Sequence, residues 1–250
     1  MQQPFSSFLY SCLLVLALFL SAKADDRVRQ IKDEISNTIV VDQSGHGNFT
    51  NIQNAIDSIP TNNEVWTLVH VKPGTYMRVG GSTIIQFADG GDSVKRSTFS
   101  SYADDFVATD IAFKSTCNLQ PGKPITWALA ALINANKASF YQCRFISVQD
   151  TLKDSQGRHY FEQCYIEGGV DFIWAVTARG SLAGYITAQA RDSAANHSGF
   201  MFKDGSIVGT GPVYLGRAYR PYARVLFQRT KMSDIIIPTG WSAWSYVGKE

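Results

Sequence analysis

Phe140-Tyr-Gln-Cys-Arg-Phe-Ile-Ser-Val-Gln-Asp150 lies over Phe161-Glu-Gln-Cys-Tyr-Ile-Glu-Gly-Gly-Val-Asp171 without a gap, at an offset of 21 residues. Gln142 falls on Gln163, Cys143 on Cys164 and Asp150 on Asp171. An earlier segment, Asp110-Ile-Ala-Phe113, falls on Gln142-Cys-Arg-Phe145 once a longer loop is allowed between them. Repeats this short, with strands but no crossover helix, point to stacked coils of a parallel β-helix, a solenoid in the all-β class. An antiparallel sandwich also spaces its strands closely, but nothing in it requires equivalent residues to recur in register.

The register has a chemical consequence. Equivalent positions on neighbouring coils lie about 4.7–4.9 Å apart. Cys143 and Cys164 are expected to stack as core thiols rather than as a bridge. Asp150 and Asp171 are expected to stack on the surface that follows their strands. Two carboxylates that close repel, so one is expected to hold its proton while the other ionises, which splits acid and nucleophile roles between like groups.

Working outward, the N-terminal third has the helical period. Val28, Ile31 and Ile35 are spaced for one helix face, as are Ile52, Ala55, Ile56 and Ile59, with Thr50 as N-cap and Pro60 as stop. After Pro60 come short apolar strands punctuated by Gly, Asn, Asp and Pro. They are expected at Trp66–Val71, Thr83–Phe87, Phe106–Phe113, Ser139–Phe145, Tyr160–Ile166, Tyr185–Ala188, Phe200–Phe202, Arg224–Phe227 and Asp234–Ile237.

The 250 residues are 45% apolar and 18% charged, enough chain for one sizeable core. With 23 basic against 21 acidic residues the net charge is +2, which gives no electrostatic reason to expect nucleic acid or a membrane surface as partner. Phe8 to Leu20 is an apolar run too short to span a bilayer, and Ala22-Lys23-Ala24 follows it. Residues 1–24 therefore read as a cleaved secretory signal and 25–250 as the functional domain, although no Lys or Arg precedes the run. The sequons Asn48-Phe49-Thr50 and Asn196-His197-Ser198 agree with secretion and glycosylation. Cys117, Cys143 and Cys164 remain after the leader, so at least one is unpaired. No Gly-x-Ser-x-Gly elbow occurs, no cluster has zinc-ligand spacing, and His46, His70, His159 and His197 share no evident site.

Gln149-Asp-Thr-Leu152, Asp171-Phe-Ile-Trp174 and Leu215-Gly-Arg217 resemble, in order and spacing, the signature segments of the plant pectin methylesterase (pectinesterase) family. Pro73-Gly-Thr-Tyr76, Thr98-Phe99, Gly157-Arg-His-Tyr160, Ile186-Thr-Ala-Gln189, Arg191-Asp-Ser193 and Gly240-Trp-Ser-Ala-Trp244 extend the match over nearly the whole chain after residue 24. The resemblance implies a right-handed parallel β-helix, secreted to the cell wall, that demethylates pectin (methyl-esterified polygalacturonate) without metal or cofactor. It implies a monomer, with a proteinaceous pectinesterase inhibitor as a further partner. Asp171 would be the nucleophile, Asp150 the proton donor and then base, Gln149 an oxyanion donor, and Arg217 the cation that keeps Asp171 ionised and oriented. Thr98, Trp127 and Tyr219 would lie along the substrate cleft.

These roles agree with the chemistry of the residues. A carboxylate nucleophile beside a second acid needs a neighbouring cation, and Arg is permanently charged with a planar fork. Developing charge on an ester oxygen needs fixed donors such as an amide. Taken alone, either Asp reads as a turn residue and Arg217 as a structural cation; the 21-residue register and the flanking motifs turn the reading to catalysis. Tyr219, Trp241 and Trp244 fit either a core or a sugar-stacking face. A β-helix glycosidase or lyase and a non-catalytic pectin-binding wall protein are the competing functions.

Several departures bear on activity. Trp127 stands where the family has a second oxyanion Gln, and Tyr219 where it commonly has Trp. The family carries a further strand and loop between Tyr76 and Ser82, and another segment after Trp174, ahead of Val176-Thr-Ala-Arg-Gly180. Each gap is somewhat short of one coil. The C-terminal segment that follows Trp244 in the family is also absent, so either a shortened isoform or an imperfect gene model is expected.

Overall fold

The computed structural model describes residues 14–18, 29–72, 83–91, 96–119, 124–174 and 184–248. The chain divides into two compact units, Leu20–Ile85 and Met1–Phe19 with Gln86–Glu250.

The smaller unit holds a helical turn at 29–33, strands β2 (Ile35–Val41) and β3 (Trp66–Val71), and helix α1 (Ile52–Asp57) between them. β2 and β3 pair in parallel, Ile39 opposite Val69 and Val41 opposite Val71, so the helix-bearing segment is a crossover connection. Ile35, expected on a helix face, instead opens β2, where the β-branched run Thr38 to Val41 favours extended backbone. The α1 cap is Asn51 rather than Thr50: its side-chain oxygen accepts from the backbone N–H groups of Gln53 and Asn54 at 2.7 and 3.3 Å. Val28 and the segment 73–82, with the first of the two gaps, lie outside the described residues, and strand β4 (Thr83–Phe87) follows at the place expected.

The larger unit is a parallel β-solenoid. Its coils read as triplets: β5 (Phe99–Ser101), β6 (Val107–Thr109), β7 (Ile111–Ser115); β8 (Ala131–Asn134), β9 (Ala138–Tyr141), β10 (Arg144–Ile146); β11 (Leu152–Gln156), β12 (His159–Glu162), β13 (Tyr165–Gly168). After the lone strand β14 (Ile173–Trp174) come β15 (Gly184–Gln189), β16 (Phe200–Lys203), β17 (Gly205–Gly209), and then β18 (Val213–Ala218), β19 (Val225–Gln228), β20 (Lys231–Met232) and β21 (Trp241–Ser242). The first strands of the coils form one seven-stranded sheet, β5-β8-β11-β14-β15-β18-β21, parallel throughout. Arg144 pairs with Tyr165 and with Ala112, which sets Cys143 beside Cys164 and Asp110 beside Gln142, the register read from the repeat.

The second gap, after Trp174, falls on residues 175–183, which lie outside the described residues. Among the described residues β14 has no second or third strand in its coil. The second sheet is accordingly split into β6-β9-β12 and β16-β19. In the third sheet the opening between β13 and β17 is spanned by β1 (Leu14–Leu18), from the run read as a leader, antiparallel to both neighbours.

Three expected strands are each two strands. Asp110, Gln142 and Gln163 have φ of 57, 55 and 52°, and so do Asp204 (56°) and Arg229 (51°) at the same corner of later coils. The left-handed conformation turns the chain between the second and third strands, and an apolar count along the sequence does not register one reversed φ. Stacked corners bond to one another: Gln142 Nε2 donates to Gln163 Oε1 at 3.1 Å, and Arg229 Nη2 to Asp204 Oδ2 at 2.6 Å. Asp234–Ile237, expected as a strand, is a turn with a single bridge from Ile236 to Val213. Ile235 is buried there, and the segment's pairing is confined to Val213, whose N–H donates to the Ile235 carbonyl and whose carbonyl accepts from Ile237 N–H.

Inside the coils Phe113 stacks on Phe145 at 5.5 Å and Phe140 on Phe161 at 5.1 Å. Each buried Phe contributes about 1.5–3 kcal/mol relative to exposure, so these columns carry much of the solenoid's stability. Cys143 and Cys164 are buried free thiols, with Cys164 Sγ 3.4 Å from the Phe140 carbonyl. The hydrogen bond to Cys143, together with burial, pushes the Cys164 thiol far up, so it is inert as expected from the register.

Candidate active site

The first-position sheet carries the chemistry. Asp150 and Asp171 occupy the left-handed corners, φ 61 and 50°, just before β11 and β14. Gln149 bridges Val170 and the Asp150 N–H donates to the Val170 carbonyl at 3.0 Å, which sets the two Asp residues on neighbouring coils. Left-handed backbone at a non-Gly residue is uncommon, with Asp among the residues that tolerate it best.

Arg217 on β18 reaches Asp171 with two bonds, Nε to Oδ1 at 3.1 Å and Nη2 to Oδ2 at 2.5 Å. The pair is dry: Asp171 is 3% exposed and Arg217 4%. The guanidinium lies on aromatic faces, 4.2 Å from the Trp244 ring centroid, 5.2 Å from Tyr185 and 5.7 Å from Tyr219. Ring quadrupoles favour a cation there, and the planar fork is held for bidentate contact. Trp244 therefore supports the site, whereas Trp241 is 45% exposed beside Phe227.

Asp150 is 1% exposed, and its Oδ2 has no hydrogen-bond partner among the described residues. Burial and then the Asp171 charge push its carboxyl up to about 8, against the weaker pull of Arg217 and Lys153. Burial raises Asp171 as well, and the Arg217 charge and hydrogen bonds offset only part of that. Because Arg217 bonds Asp171 directly and the Asp171 charge acts on Asp150, Asp150 is the group that holds its proton at neutral pH.

The remaining sequence candidates take these places. Gln149 is half-buried directly before Asp150, held through its backbone. Thr98 precedes β5; its N–H donates to the Leu129 carbonyl at 2.9 Å, and its buried Oγ1 lacks a partner among the described residues. Tyr219 packs on the buried cluster Leu129, Leu132 and Ala188, so Thr98 and Tyr219 both adjoin Leu129. Trp127 is half-buried, with its carbonyl accepting from Gly91 N–H at 2.8 Å.

Two groups escape a reading of the sequence. Lys153 on β11 is 9% exposed, three residues after Asp150 and electrostatically coupled to it. His159 is buried, with Nδ1 hydrogen-bonded to Asp154 and Nε2 2.6 Å from the Ala135 carbonyl. Burial lowers His159, but the Asp154 and Ala135 acceptors outweigh it and raise the ring above its ordinary value. Two acceptors require two N–H groups, so it is a structural imidazolium. Only its place in Gly157-Arg-His-Tyr160 marked it. Among the described residues no three His, Cys, Asp or Glu side chains are grouped to hold a metal.

Comparison with known proteins agrees with this geometry. The family model "Pectinesterase" matches residues 79–248. Probable pectinesterase 29 of Arabidopsis thaliana is 40% identical, the match covering 85% of this chain and 74% of that protein. Probable pectinesterase 55 of the same plant is 40% identical over 85% and 75%. Among solved structures, pectin methylesterase from carrot superposes with a TM-score of 0.70 at 22% identity, covering 81% of this chain and 76% of that one. Pectin methylesterase from Aspergillus niger gives 0.62 at 25% identity, covering 83% and 80%. With its parallel solenoid, its Asp pair in register and its buried Arg, the chain belongs to the pectinesterase family.

Proposed function

We propose that the chain is a secreted carboxylic ester hydrolase that removes methyl groups from polygalacturonate, with Asp171 as nucleophile. The observation that carries this is the bidentate Asp171–Arg217 pair beside a buried Asp150 that keeps its proton. A structural relative at 20% identity and TM-score 0.64 is a pectin methylesterase in complex with a hexasaccharide, which supports an oligosaccharide substrate here.

Asp171 attacks the ester carbonyl carbon, and the Gln149 amide donates to the oxyanion as it forms. The carbon–methoxy bond breaks, methoxide takes the Asp150 proton, and methanol leaves an acyl-enzyme on Asp171. Asp150, now a carboxylate, takes a proton from water as its oxygen attacks the acyl carbon. Collapse returns the Asp171 carboxylate to Arg217 and releases the galacturonic acid, which ionises.

Residues 1–24 act as the leader in this reading, and their removal takes β1 out of the opening between β13 and β17. Asn48 and Asn196 are both exposed, as glycan acceptors in a wall protein need to be. Trp127 at the place of an oxyanion Gln favours a second reading, a pectin-binding protein with impaired turnover. The test is purified chain on highly methylated pectin. Methanol without new chain ends supports the esterase, new chain ends point to a glycosidase or lyase, and binding without either favours the impaired protein.

A further inference from the structure

Four arginines lie on β18 or in the loops that follow β15 and β18: Arg191, Arg217, Arg220 and Arg224. Three of them are committed to the protein. Arg217 holds Asp171. Arg191 donates to the Ser193 and Ala194 carbonyls at 3.0 and 2.6 Å, and Arg224 to the His197 carbonyl and, at 3.0 Å, to that of Ser198. Arg220 is exposed, and among the described residues its side chain makes no ion pair or hydrogen bond. It lies 5.4 Å from the centroid of the Tyr219 ring, and the same ring is 5.7 Å from the Arg217 guanidinium. Tyr219 thus ties Arg220 to the group that holds the nucleophile. Around Arg217, Tyr185 is buried and Tyr219 and Trp244 are half-buried, so the contacts leading outward from Arg217 reach solvent at Arg220.

The loop that carries Arg220 is fixed. The backbone N–H groups of Arg191 and Arg224 both donate to Oε1 of the buried Gln189 at 3.0 Å, and Tyr222 N–H donates to the Arg191 carbonyl at 3.1 Å. Ala223 N–H closes a turn on the Arg220 carbonyl at 3.1 Å. A side chain already placed by such a turn has less freedom to lose on binding. Contact with a ring engages the guanidinium charge without using its N–H donors, which remain for bidentate pairing with a carboxylate. In a polyuronate every non-esterified unit is a carboxylate.

We propose that Arg220 is a specificity-determining residue whose guanidinium pairs with an ionised galacturonate carboxylate beside the ester being cleaved. The proposal rests on the esterase reading and adds a preference for partly de-esterified over fully methylated pectin. Arg220→Gln removes the charge, and Arg220→Lys keeps it without the fork. The side chain is exposed, so both variants are expected to fold, and circular dichroism checks this. Lys231, exposed on β20 in another sheet, is the control: Lys231→Gln lowers the net charge by the same amount.

The experiment measures kcat and KM from initial methanol release on pectin of graded methylation, together with calorimetric binding of unesterified and fully methylated hexagalacturonate. Arg220→Gln is expected to raise KM on partly esterified pectin and weaken binding of the unesterified hexamer, each about tenfold, the scale of one charge-assisted contact. The loss is expected to fall on KM rather than kcat and to be several-fold smaller on fully methylated substrates. Arg220→Lys is expected to recover part of the preference, and Lys231→Gln to keep it as in wild type. Equal losses on charged and neutral substrates would overturn the proposal by making Arg220 a support for Tyr219 only. An equal effect of Lys231→Gln would do the same by reducing the preference to net charge. If the wild type releases no methanol, the esterase reading fails, and the hexamer comparison still decides the role of Arg220. A wild type that binds both hexamers equally refutes that role.

Discussion

Asp150→Asn is expected to abolish methanol release and make the protein more stable, by an amount that depends on pH. In the folded chain the carboxyl is raised from 3.8 to about 8, chiefly by burial and then by Asp171. A group whose folded value is raised contributes stability fully present below its unfolded value and lost as pH rises through its folded value. Between 3.8 and 8 the unfolded chain ionises Asp150 while the folded chain does not. At pH 7 the gap is about three pH units at ~1.36 kcal/mol each, so wild type is disfavoured by on the order of 4 kcal/mol. An Asn of the same shape removes that cost. The difference between variant and wild type is expected near zero at pH 4, to grow to pH 8, and then to level off. At pH 7 it corresponds to a rise in Tm on the order of 10 °C for a chain this long. Thermal and urea melts followed by circular dichroism at pH 4, 6, 7 and 8.5 measure it. A difference independent of pH, or a variant less stable at pH 8.5, would refute the reasoning, because the folded protein would then bear the Asp150 charge at no cost. The same titration places the alkaline limb of wild-type turnover near pH 8, where the proton donor is lost.

Other changes follow from the same contacts. Arg217→Met leaves the Asp171 carboxylate buried without its cation; a loss of about 3–5 kcal/mol in denaturant melts is expected, and methanol release is expected to fail. Arg217→Lys keeps a charge but not the fork and is expected to recover only part of each. Trp127→Gln restores an amide donor, and kcat for methanol release is expected to rise about tenfold or more, since one oxyanion donor commonly accounts for 10²–10³ in rate. His159→Gln removes a buried imidazolium whose raised value makes its stabilisation present below 6.5 and lost as pH rises through the folded value. Melts are expected to show wild type ahead of this variant at pH 5.5, with the margin shrinking toward pH 9.

The recurrence of Gln142, Cys143 and Asp150 at Gln163, Cys164 and Asp171 was enough to place neighbouring coils, because a solenoid repeats side-chain positions as well as strands. The corners were not legible in the same way. Asp110, Gln142 and Gln163 interrupt runs that read as continuous strands, and their reversed φ is a backbone property that leaves the apolar pattern unbroken. Of the strands that follow the dyad, β11 is mostly polar and β14 is two residues long, so no alternation announced them. Asp171 and Arg217 are 46 residues apart, and their pairing emerges only when β14, β15 and β18 stack. Tyr185 and Trp244 meet Arg217 for the same reason. Lys153 resembles any surface lysine until β11 buries it three residues after Asp150. The gap after Trp174 was expected only from the family's pattern, and nothing in the sequence announced that β1 would pair with both β13 and β17.

The most direct test of the account compares methanol release from methyl-esterified pectin by wild type and Asp171→Asn, with equal folding checked by circular dichroism. Loss of the nucleophile is expected to lower the rate on the order of 10⁴-fold or more, while pectin binding is retained. A rate within tenfold of wild type would contradict the account, since the carboxylate held by Arg217 would then have no covalent role.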